Sequence, residues 1–167
     1  KSKLLGWIGV VLLIVAGSTY PSFGKKLTTA FSPVSLLFLS EFLGGIFVAI
    51  WFGAIPIIRK WRKVKKNKKK LFIFSSLLNG VIAPLLWFIG LSSTSAVNAE
   101  LFSRTEMLFM ILLGVIVIHE KFTKQHVFSL SVILFGITYV ALRGFTETVN
   151  IATGDILIVS SSLVYAL

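Results

Sequence analysis

Cysteine is absent from the 167 residues, so neither a disulfide nor a thiolate-bound metal can form, and redox compartment leaves no trace. Histidine occurs twice, at His119 and His126 on either side of one short link, which gives no metal-ligand spacing. Charge of either sign is scarce: 14% of residues are charged, against about 25% in an ordinary soluble domain. Acids are scarcer still, 6 against 17 Lys and Arg. The formal charge of +11 is concentrated locally, which argues against a nucleic-acid-binding surface. No nucleophile–base pair, metal cluster or phosphate-cradling loop is visible; Ser160–Ser162 reads as helix-packing surface. An enzyme is therefore not expected, and no cofactor is implied. What the chain has in abundance is apolar sequence, 56% hydrophobic with a mean hydropathy of +0.92, and this points to an all-α polytopic membrane protein.

The apolar runs divide into spans. Lys1 and Lys3 precede an apolar stretch from Leu4 to Ala16 that lacks a small-residue cleavage site, so it reads as a retained first span over 4–23. Gly6, Gly9 and Gly17 offer small surfaces for close helix contact, and Lys25 and Lys26 close the span. Ser32 and Pro33 form a helix start, and a second span is expected over 34–58. The densest basic run follows, Arg59 to Lys70. A third span over 71–91 contains Asn79, Pro84 and Trp87, and the short link 92–95 makes the third and fourth spans antiparallel neighbours. The fourth occupies Thr94 to Lys121, the fifth runs from His126 to Arg143, and Gly154 to Leu167 begins a sixth. Positive residues near span ends stay in the cytoplasm, which puts the N-terminus and the 59–70 loop inside the cell membrane, the loop in contact with anionic lipid headgroups. Lys25 and Lys26 then fall outside, against the rule.

The fourth span carries ionisable groups along its inner length. In lipid each central charge costs roughly 2.5–3.5 kcal/mol on insertion scales, so it needs a partner, a wet cavity or a function. Glu100 and Arg104 are four apart and share a helix face, so they can pair. Glu106 falls on nearly the opposite side from Arg104 at about 100° per residue, and needs another partner or a proton. Glu41 has the same need. Asn79 and Asn98 are orienting contacts or helix–helix glue; Tyr20 and Trp87 line a pathway or pack. The expected substrate or proton site is therefore Glu41, Asn79, Asn98, Arg104 and Glu106.

Gly154 to Tyr165 can be laid over Gly9 to Tyr20, and five spans before a restart would invert the second copy, a pattern of secondary transporters. The stretch Gly90 to Thr123, with Thr94, Ser95, Ala96, Ala99, Gly114, Glu120 and Lys121, then Gly136 and the restart Gly154-Asp155, resembles the EamA-type transporters of the drug/metabolite transporter superfamily. Met107 stands near a place that family often fills with Pro, and Glu41 where its second helix often carries Arg. The resemblance implies five transmembrane helices plus the start of a sixth, half of a ten-helix inverted-repeat transporter: a first repeat over 1–144, a linker over 145–153 and the truncated second repeat over 154–167. The expected function is that of a secondary transporter or exporter of a small metabolite, an amino acid or an amphipathic compound, working by alternating access. The remaining partner would be the second repeat or a second copy. The alternative is a non-transporting assembly module or a half-transporter that dimerises.

Overall fold

The computed structural model describes residues 2–117, 119, 121–141 and 152–167. Glu120, Arg143 and most of the expected linker lie outside them. Every element among the described residues is helical.

Helix α1 runs Ser2–Ala30, through Pro21 and past the expected stop at Lys25 and Lys26. The reason is tertiary. The Lys25 ammonium donates to the carbonyls of Leu91 (2.8 Å) and Ser92 (2.9 Å), so its charge meets the negative end of another helix instead of needing a helix end of its own. Helix α2, Pro33–Phe52, starts as expected, with Ser32 Oγ accepting from the Ser35 N–H at 3.2 Å. It stops six residues short of the expected Ile58. Pro56 has no N–H to return to the Phe52 carbonyl, and Gly53 leaves the helix at φ 77°. A separate short helix, α3 (Ala54–Lys63), follows.

Helix α4 (Lys66–Leu77), a π-turn (Leu78–Ile82) and α5 (Ala83–Ser93) form one long rod. The π-turn precedes Pro84, which cannot donate to the Gly80 carbonyl; there the Ala83 N–H reaches back five residues to Leu78. The fourth span is not one helix. It divides into α6 (Ala96–Ser103) and α7 (Thr105–Val117), with a turn at Arg104 whose N–H bonds the Leu101 carbonyl at 3.1 Å. Helices α8 (Lys124–Ala141) and α9 (Thr153–Ala166) complete the chain. By length and apolarity, three rods among the described residues suffice to cross a bilayer: Gly6–Ala30, Pro33–Phe52 and Lys66–Ser93.

The core forms around α5. Trp87, Phe88 and Leu91 pack with Leu36 and Leu37 of α2, Ala99 of α6 and Ile158 of α9. The α5–α9 crossing is the tightest. A Cβ on Gly90 would fall 2.8 Å from the Gly154 carbonyl oxygen, so only glycine fits. Ser161 Oγ donates to the Ala83 carbonyl at 2.7 Å, and the Thr94 hydroxyl donates to the buried carboxylate of Asp155. The same carboxylate accepts from the Ala152 N–H at 2.9 Å, at the start of α9. Gly154 lies beside Gly90 and Ser161 beside Ala83, so α9 runs antiparallel to α5. Tyr20 meets Trp87 and Lys25 meets Leu91, so α1 runs parallel to α5. Helices α1 and α9 therefore run in opposite directions. By contrast, Gly6, Gly9, Gly17, Gly44 and Gly45 have nothing within 4 Å of an added Cβ among the described residues, so these small faces of α1 and α2 stay uncovered there.

Candidate functional site

Where α1, α5, α6, α7 and α9 converge there is a cavity of about 230 Å³ lined by Tyr20, Pro84, Trp87, Glu100, Ser103, Arg104, Glu106, Ser162 and Tyr165. Its aromatic wall is set by α1 and α5: Tyr20 stacks on Trp87 at 5.1 Å, and Trp87 packs edge-on against Phe88. The indole Nε1 donates to Ser103 Oγ at 3.1 Å, and Ser103 Oγ donates to the Ala99 carbonyl at 2.7 Å. Trp87 is thereby held by a stacked ring, an edge-on ring and its N–H.

The charged wall comes from the α6–α7 junction. Arg104 Nη2 donates to Glu100 Oε1, the i,i+4 pair the spacing allows. Glu106 lines the same cavity, contrary to the helical-wheel expectation that puts it opposite Arg104. The turn at Arg104 accounts for the difference: an unbroken helix would separate these two residues by about 200°, and the tightened turn removes the assumption. No cation pairs with Glu106 among the described residues.

A second cavity of about 360 Å³ opens between α1 and α6, lined by Ser18, Pro21, Ser22, Ala96, Val97, Leu101 and the same Glu100 and Arg104. The ion pair therefore stands where the two spaces meet. Of the other expected residues, Glu41 is exposed on α2 and lines neither of these cavities. Asn79 sits on the π-turn, where Nδ2 donates to the Ser75 carbonyl at 3.2 Å. Asn98 is half-buried on α6, and its backbone N–H is capped by Ser95 Oγ. Neither asparagine lines either of these two cavities.

Sequence reasoning missed Ser103, Ser162 and Tyr165. Tyr165 had a signal: it is the end of the segment that overlays Gly9 to Tyr20, and the two tyrosines enter the cavity from antiparallel helices. The serines had none, because a lone Ser in an apolar helix usually bonds its own backbone, as Ser162 does to the Ile158 carbonyl at 3.0 Å.

The EamA-like transporter family profile matches residues 4–142. An uncharacterized transporter of Methanothermobacter thermautotrophicus is 28% identical over 179 aligned positions, covering 99% of this chain and 52% of that protein. The uncharacterized transporter YyaM of Bacillus subtilis is 28% identical over 111 positions, covering 62% of this chain and 36% of its own. The chain thus spans about half the length, or less, of these curated relatives. No solved structure matches significantly. The family match takes in most of the chain and agrees with its long apolar helices, and this multi-pass membrane chain belongs to the EamA-like transporter family.

Proposed function

We propose that the chain is the first five-helix unit, with the start of the second, of a secondary transporter that carries a small amphipathic metabolite, such as an amino acid, across the cell membrane by alternating access. The observation that carries this is the 230 Å³ cavity, which gathers two carboxylates, a guanidinium and two tyrosines among helices whose outer surfaces are apolar. Ionisable groups placed along membrane-spanning helices are costly unless something hydrophilic passes. Arg104 receives an anionic group in exchange for Glu100, Glu106 receives a cation or a proton, and the Tyr20–Trp87 stack takes the apolar part. Glu41, exposed on α2, contributes to substrate or proton binding from outside this cavity. Asn79 and Asn98 orient partners from the neighbouring unit. The open glycine faces of α1 and α2 meet that unit, in the same polypeptide or a second copy. The N-terminus and the basic run 59–70, which the ends of α3 and α4 carry, face the cytoplasm.

The test is uptake or counterflow in proteoliposomes holding the full-length protein. Glu106→Gln is expected to lower transport about ten- to a hundredfold, the worth of one hydrogen bond to a charged group. Transport unchanged in the Glu41→Gln/Glu106→Gln double variant would overturn the site.

A further inference from the structure

The stretch between α2 and α4 is an element in its own right. Helix α2, at about 1.5 Å per residue, is long enough for a bilayer core of about 30 Å; α3, half as long, is not. Gly53 turns the chain between them. On α3, Ile55 is 72% exposed and Ile58 53% exposed, three residues apart, with Trp61 three further on. Arg59 and Lys60 are exposed beside them, and Lys65, Lys66, Lys68 and Lys70 are exposed just beyond. The run from Arg59 to Lys70 contains no acid, and none of these cations is ion-paired among the described residues.

The depth of α3 is set by one side chain. Trp61 packs edge-on against Phe72 of α4 at 5.1 Å, and Lys69 Nζ lies 5.7 Å from its ring centroid. Phe72 belongs to the first apolar turn of that rod, and Lys69 to the last basic one. Trp61 therefore rests at the boundary between the charged end of α4 and its apolar length, the level that tryptophan favours at a membrane surface. A short helix pinned there, with isoleucines uncovered by its own chain and cations around them, matches an interfacial membrane element.

We infer that the α3–α4 elbow is a binding site for anionic phospholipid, with Ile55 and Ile58 entering the acyl boundary, Trp61 and Phe72 anchoring the depth, and Arg59, Lys60 and Lys69 meeting headgroup phosphates. The charges decide the lipid class: a zwitterionic headgroup offers no net counter-charge to a run of cations with no acid among them.

The test uses the full-length protein with a nitroxide label on Ile58→Cys, reconstituted in phosphatidylcholine vesicles with or without phosphatidylglycerol. Phosphatidylglycerol is expected to move the label from contact with a water-soluble nickel chelate to contact with oxygen in the acyl region. Neutralising Arg59→Gln and Lys60→Gln together should shift the docked fraction back, about fivefold per cation. Trp61→Ala should leave the charge attraction but lose the defined depth. A label equally placed in both lipid compositions, or an unchanged response in the Arg59→Gln/Lys60→Gln variant, overturns the inference. So does inorganic phosphate reproducing the shift in phosphatidylcholine alone, since the site would then take a free anion, not a lipid.

Discussion

Trp87 shows how much one residue decides here. It stacks on Tyr20, donates to Ser103 and packs into the core beside Leu91, so it joins α1, α5 and α6 at the cavity wall. Trp87→Phe keeps an aromatic ring but removes the N–H, and should cost about 0.5–1.5 kcal/mol, read as a lowered unfolding temperature in detergent. Glycines separate into two kinds. At Gly90 an added methyl meets the Gly154 backbone and the Ile158 side chain, so Gly90→Ala should destabilise by about 1–3 kcal/mol. At Gly6 no described residue lies within reach, so Gly6→Ala costs nothing inside this unit; in the full-length protein, where the proposed contact with the neighbouring unit covers that face, it should lower the unfolding temperature. The sequence marks both as small residues in apolar runs and cannot separate them, because the difference is another helix's carbonyl.

At the scale of helices, breaks matter as much as spans. Two of the breaks sit at prolines, yet the expected spans 34–58 and 71–91 run through both: Pro56 with Gly53 ends α2, and Pro84 accompanies the π-turn. The third, at Arg104, has no proline or glycine, so periodicity alone ran straight through it. Glu106 follows that break and lines the same cavity as Arg104. Lys25 illustrates a different point. By the positive-inside rule it stands on the wrong side, yet its ammonium caps the C-terminal carbonyls of α5. Lys25→Met should therefore cost about 1.5–3 kcal/mol, as for a lost bond to a charged group, while Lys26→Met should cost little. Thermal unfolding of the two variants side by side checks this.

For the whole molecule, the decisive feature is the inverted run of α9 against α1, held by the Gly90–Gly154 contact and the Thr94–Asp155 hydrogen bond. The proposed topology places Asn67 and Thr29 on opposite faces of the membrane. In cells, a membrane-impermeant thiol reagent should label Thr29→Cys from outside and leave Asn67→Cys untouched until the membrane is opened. The reverse pattern would turn the transporter over. The outer surfaces fit this frame, since only 6% of the apolar windows of α1 and α2 is buried within the chain.

Composition and hydropathy alone determined that the chain is helical and membrane-embedded, because lipid forces every backbone polar group into helices and every charge into a reason for being there. Spacing alone determined the Glu100–Arg104 pair, which needs only one regular turn. What only the tertiary structure decided is which polar groups share a space. Tyr165 reaches Tyr20's cavity, and Asp155 meets Thr94, through a crossing between segments more than sixty residues apart in sequence. Such a crossing depends on glycine-to-backbone contact, and no local pattern encodes it.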